Sequence, residues 1–269
     1  MRYFASIAFL LLLTIGSLAQ RTTPGSEAEL AAISERGRSL YAYDEAAWHS
    51  TDAVLELKPT EGSFETYIGQ KKGDKWIVVY GKLNATRDSY LIAYEATQGR
   101  SLSEFTVERF EKPKVDKAFY LSAAFAIDVV KTDFGKADRQ YNIAVLPAPA
   151  NQFYVYLVPA QTADGVFPLG GDVRYLVSTD GKKIVEKRQL HKAIIEFQAP
   201  KDVTPQSGYH TAIMDNIPED TDVFHVLTRI PKVPELIVTE KYVYQVKTDG
   251  SIIYIMTREA FLKVGKPSN

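Results

Sequence analysis

The spacing of apolar positions changes period several times along this 269-residue chain, and each change marks an element. An apolar run extends from Phe4 to Ile15, with Arg2 ahead of it and the small residues Ser17 and Ala19 behind. From Ser26 the pattern turns helical. Ser26 and Glu29 have capping-box spacing, and Leu30, Ile33, Leu40, Tyr41 and Trp48 then fall mostly on one face, so a helix is expected over 26–48, with Gly37 weakening its middle. From Val54 the period shifts toward two. Short runs rich in aromatic and β-branched residues at 54–57, 64–68, 76–83 and 90–94 predict an antiparallel meander, with turns at Lys72-Gly73-Asp74 and over 84–88. Helical spacing returns at 116–134, where Phe119, Ala123, Ile127, Val130 and Phe134 form a stripe between Asp116 as cap and Gly135 as stop.

Strand-like runs follow at 141–146, 152–158, 173–178, 183–188 and 193–197, then a Pro-containing linker from Ala199 to Gly208. Further runs at 223–227, 236–239, 242–246 and 252–256 complete the count. Two of the hairpins share a Thr-Asp-Gly turn, at 179–181 and 248–250, where Asp with Gly supplies the positive φ that a tight hairpin requires. The expected fold is α+β, mostly antiparallel sheets with an N-terminal helix and a second central helix. The expected organisation is a signal peptide over 1–19, a helix-plus-meander region over 20–112, an α+β region over 113–264 and a disordered tail over 265–269.

The leader is shorter than the roughly 20 apolar residues a membrane span needs, and Ala19 suits cleavage. The expectation is an exported chain, periplasmic or extracellular, with no membrane span after cleavage. No cysteine is present, so disulfides are excluded, as is a lipid anchor on cysteine. That usage fits a bacterial envelope protein. The 32 basic residues nearly balance the 33 acidic ones, which gives no electrostatic footprint for nucleic acid. Asn84-Ala85-Thr86 forms a glycosylation sequon, meaningful only in a eukaryotic host.

Nucleophile elbows and phosphate loops are absent, so no catalytic or cofactor-binding residue is assigned from those motifs. The four histidines differ in context. His49 is read as the end of the first helix, His191 as an exposed loop residue after a basic strand, and His225 as a sheet residue. His210 stands apart because Asp215, Glu219, Asp220 and Asp222 follow it within a dozen positions. Zinc takes nitrogen and carboxylate ligands, so His210 and Asp222, with Asp215 or Asp220 as a third ligand, form a candidate zinc set. The alternative reading of the stretch is an acidic surface loop. A carboxylate pair such as Glu196 and Asp222 is the glycosidase alternative. Tyr154 and Tyr156, alternating along one strand, are the candidate platform for a protein, peptide or glycan partner if that sheet face is open, and core if a helix covers it.

The stretch from His210 to Asp222 resembles the metal-binding segment of JAMM/MPN metalloproteases, in which His-x-His precedes a proline-containing loop with a hydroxyl residue and then an aspartate. His210 matches the first histidine, Asp222 the aspartate, and Thr221 lies near the hydroxyl position. The resemblance implies a zinc-dependent hydrolase. Ala212 stands where the second histidine belongs, the spacing to Asp222 is about one residue short, and no glutamate lies between Lys112 and Val185 to act as general base. A degenerate, inactive member would follow. The leading expectation is therefore an exported protein that binds or associates with the envelope, with the zinc hydrolase as the alternative.

Overall fold

The capping box at Ser26 starts helix α1 (Glu27–Glu56): the Ser26 amide donates to Glu29 Oε2 at 2.9 Å, and the Glu29 amide donates back to Ser26 Oγ. The computed structural model describes residues 23–198 and 205–264. The expected leader and tail, and most of the expected linker, lie outside the described residues. Helix α1 continues about two turns past the expected end and takes in Val54 and Leu55, which the sequence pattern assigned to a strand. Val54 is fully buried and completes the helical stripe of Leu40, Tyr43 and Ala47, so helical packing overrides its β propensity.

The meander follows as β1 (Thr66–Lys72), β2 (Lys75–Leu83), β3 (Tyr90–Gln98) and β4 (Phe105–Asp116), antiparallel in that spatial order. Strand β4 escaped the pattern because it is a charged edge strand; Pro113 is tolerated there since an edge leaves some amides without a ladder partner. Alternation on β2 sorts the core. Val78 and Tyr80 pack with α1, while Val79 joins a second cluster with α2 (Phe119–Phe134). Asp116 Oδ1 accepts from the amides of Ala118, Tyr120 and Leu121 and so caps α2 as expected.

Next come β5 (Tyr141–Pro147), β6 (Phe153–Pro159), β7 (Val166–Leu169), β8 (Val173–Val177), β9 (Ile184–Gln189) and β10 (Ile195–Gln198). Strands β5-β6-β8-β9 form one antiparallel sheet, and β7 pairs with β10 separately. The last unit holds β11 (Gly208–Thr211), α3 (Asp220–Thr228), β12 (Glu235–Val238), β13 (Tyr242–Val246), β14 (Ile252–Thr257) and α4 (Arg258–Val264). Its sheet runs β11-β12-β13-β14, with β11 and β12 parallel and joined through α3. The architecture is α+β with predominantly antiparallel sheets. Among the described residues no helix is long and apolar enough to cross a membrane.

Residues 223–227 form helix α3, which corrects the strand expected there. Pro218, Glu219 and Asp220 open a helix whose first turn is acidic, and Val223, Val226 and Leu227 form its buried stripe. Gly37 is explained by the same helix. A Cβ at position 37 would run into the Val223 side chain and the Asp220 carbonyl, so glycine lets α1 and α3 touch backbone to side chain. The N-terminal turns of α1 thus reach the last sheet through Leu30 and Ile33, while its later turns pack on the meander.

Candidate metal centre

Three elements bring together a cluster that the chain order disguises. His210 stands on β11, Asp222 in the first turn of α3, and His191 just beyond the end of β9. All three are buried: 8 % of His191 is exposed, 6 % of His210 and 1 % of Asp222. Nε2 of His191 and Nε2 of His210 each lie 3.0 Å from the same oxygen, Asp222 Oδ1. The nearest ligand atoms of the three residues fall within 4.8 Å of one another.

The far side of each ring is fixed as well. His191 Nδ1 lies 2.9 Å from Asp172 Oδ1, and His210 Nδ1 lies 3.1 Å from Glu235 Oε1. An ionised carboxylate only accepts, so Nδ1 of both rings carries the proton. Glu235 is itself held by Arg229, whose second nitrogen donates to the Val233 carbonyl at 2.6 Å. Gly208 makes room for this pair, because a Cβ there would strike both the Glu235 carboxylate and the Arg229 guanidinium. The remaining Asp222 oxygen, Oδ2, accepts from the Glu219 amide at 2.7 Å, which locks the carboxylate against the start of α3.

Two histidine nitrogens beside one carboxylate oxygen, each ring backed by its own carboxylate, have the donor types and supporting carboxylates with which a His-His-Asp group could hold a metal ion. His210 Nε2 is buried and makes no hydrogen bond, because at 3.0 Å from Asp222 Oδ1 its N–H direction misses the oxygen. A zinc ion bonded at about 2.1 Å to each ligand would hold the three atoms about 3.4 Å apart, so a spacing of up to 4.8 Å would have to close by up to about 1.4 Å. Without an ion, a second proton on each ring supplies the positive charge that faces Asp222. Burial works against that charge, but Asp222 and Asp172 outweigh it and raise His191 well above its ordinary pKa, while Asp222 and Glu235 raise His210 to about 9. Burial also works against the Asp222 carboxylate, and the two histidines overcome it, holding its pKa far below the usual carboxylate range.

The other acids of the segment serve different partners. Asp220 accepts from Arg36 Nε at 2.9 Å and from Tyr156 at 2.8 Å, and also pairs with Arg174. Asp215 pairs with Arg188 at 3.1 Å, and Glu219 pairs with the same guanidinium at 2.5 Å. Neither Asp215 nor Asp220 joins His210 and Asp222; His191 takes the third place. Burial, opposed by Arg188 and reinforced by Asp220 and Asp222, pushes Glu219 up to about 8.

Sequence reasoning misplaced His191 as an exposed loop residue. It is buried because its backbone immediately follows Leu190, whose amide donates to the Asp172 carbonyl, and this folds the strand end inward. Its distance from Asp222 along the chain and the adjoining Lys187 and Arg188, which suggest exposure, both conceal it. His225 lies on α3 and not on a sheet, neutral because burial and then Arg229 lower it to about 4. His49 lies within α1 near Glu45, and Glu196 pairs with Arg139 on exposed β10. Tyr156 is fully buried against Asp220, and Tyr154 is half-buried under Arg174, so this row of rings packs inward on the same charge network. Comparison with protein-family models, with curated proteins and with solved structures finds no match to the chain.

Proposed function

We propose that this chain is an exported protein whose C-terminal unit is organised by a divalent metal ion, zinc, held by His191, His210 and Asp222. The observation that carries the proposal is the pair of imidazoles whose Nε2 atoms converge on Asp222 Oδ1 while Asp172 and Glu235 hold both Nδ1 atoms. Borderline nitrogen donors with one carboxylate suit zinc among the divalent ions. Because the ligands are buried, the ion acts first as a cross-link between β9, β11 and α3, in a chain with no cysteine to do that work. The protein so stabilised serves binding at the cell envelope. The test is metal analysis of the purified mature chain with its thermal melt. Zinc should raise the melting temperature, and His210→Ala should remove the shift. Absence of any shift at saturating zinc would refute the centre.

A second reading is favoured by the ligand count. Three protein ligands leave a fourth position for water, the usual arrangement of a hydrolytic zinc, and Glu219, with its pKa pushed up to about 8, is the buried carboxyl beside Asp222 suited to move a proton. On the JAMM/MPN-like reading, His191 takes the role that Ala212 leaves vacant. Hydrolysis of a peptide or ester library by the zinc-loaded protein, lost in Glu219→Gln, separates this reading from the cross-link.

A further inference from the structure

Another carboxyl, half-buried, lies outside the metal cluster. Asp44, on α1, lines a cavity of about 80 Å³ bounded by β5 and β6, by Phe167 and Pro168 of β7, and by Phe224, His225 and Thr228 of α3. Neither Lys nor Arg lines it. Every acid of the α3 first turn has a cationic partner, whereas Asp44 makes no hydrogen bond or ion pair with any described residue. Burial, and then Glu45, raise its pKa to about 6, so its charge is poorly compensated near neutral pH. The floor is apolar and aromatic, and the exposed amides of Asn142 and Gln161 sit at the rim. A small, largely apolar cavity with one uncompensated charge and a few polar groups has the make-up of a ligand pocket.

We propose that this cavity binds a small aliphatic ammonium compound, its nitrogen on the Asp44 carboxylate and its alkyl part between Phe167 and Phe224. A cation there supplies the partner that the protein withholds, and the rings can share the charge through their faces. The volume sets the size: at about 10–15 Å³ per probe sphere, the cavity has room for roughly five to eight non-hydrogen atoms. His225 is neutral and so does not compete for Asp44.

The test compares near-isosteric probes on the mature, zinc-treated protein. n-Butylamine, n-butanol and butyrate are titrated at pH 7.5 while amide chemical shifts are followed by NMR. The expected result is saturable shifts at Phe167, Phe224 and Thr228 for n-butylamine, with n-butanol at least fivefold weaker and butyrate weaker still. In Asp44→Asn, which keeps the shape of the side chain, that preference should vanish while melting temperature and zinc uptake stay unchanged. A wild-type preference of less than fivefold overturns the proposal, as does a preference that survives Asp44→Asn, or the absence of saturation at 100 mM amine. The wild-type comparison decides the matter even if the variant fails to fold.

Discussion

The metal centre predicts opposite pH responses for the stripped and the zinc-loaded protein. In the metal-free chain, protons on the two histidines supply the charge that faces Asp222. His210, raised from 6.5 to about 9, contributes stability that is fully present below pH 6.5 and is lost as pH rises toward 9. At 1.36 kcal/mol per pKa unit, a rise of this size corresponds to about 3 kcal/mol, and the raised His191 adds in the same direction. Zinc changes the sign. The ion displaces the Nε2 proton from each ring, so its affinity climbs with pH, and each tenfold gain in affinity adds about 1.4 kcal/mol of stabilisation when zinc is in excess. The exchange of two protons for one divalent cation also leaves the cluster's net charge unchanged, so the surrounding carboxylates need not rearrange. The assay is urea unfolding at pH 6.5, 7.5 and 8.5, with chelator-stripped and zinc-loaded protein compared. Stability should fall with pH in the first and hold or rise in the second. Equal slopes in the two series would mean that the protons, and not a metal, are the permanent occupants of the site.

The residues around the centre give further expectations. Asp172→Asn and Glu235→Gln each weaken the hold on a ring without removing a ligand and should lower zinc affinity by about 10–100-fold, measurable by competition with a chromogenic chelator. Arg229→Ala strands the buried Glu235 and should destabilise the fold by about 3–5 kcal/mol in urea titration; a loss under 1 kcal/mol would show that water reaches the pair. Gly208→Ala drives a methyl into the same pair and should cost about 1–3 kcal/mol, together with weaker zinc binding. Gly37→Ala should separate α1 from α3 at a similar cost but leave zinc affinity within a few fold, because Asp222 is anchored through Glu219 and not through α1.

Local signals were legible where one element decides its own fate. The capping box at Ser26, the Asp116 cap and the Thr-Asp-Gly hairpins all act within a few residues, and all three stand in the structure. Packing decided the remainder. Val54 has strand-like chemistry but extends α1 because the core beside the meander offers it a face, and the exposed Leu55 follows in the same helix. The stretch from Glu219 to Leu227 was read as an acidic loop and then a strand, although its first-turn acids and following apolar stripe already carried the signature of a helix start. His210 and Asp222 were legible as a pair because they lie twelve positions apart. His191 was not, since it sits just past β9, in a different sheet from β11, and an approach between two sheets leaves no trace in local spacing.

The arrangement of charge at the α3 start bears on what the centre does. Glu219, Asp220 and Asp222 occupy successive directions of one helical turn, and each meets a different part of the fold: Arg188 on β9, Arg36 and Arg174 on α1 and β8, and the two histidines on the β9 end and β11. The positive end of the helix dipole favours all three acids together. Burying three carboxylates this close is unfavourable unless each has its own counter-charge. Asp220 is satisfied by two arginines, whose charge does not depend on pH, while Glu219, pushed up to about 8, escapes the cost near pH 7 by holding its proton beside Arg188. The third relies on histidine, which near pH 7 either keeps an extra proton or yields it to a metal. Asp222 is therefore the point at which the junction of helix and sheets responds to pH, and on the zinc proposal the C-terminal unit would depend on the ion to hold its shape. Limited proteolysis should report this directly: stripping zinc at pH 8 should expose cleavage sites in the 208–235 segment while α1 and the meander stay protected, whereas uniform protection with and without the ion would leave the centre with no structural role.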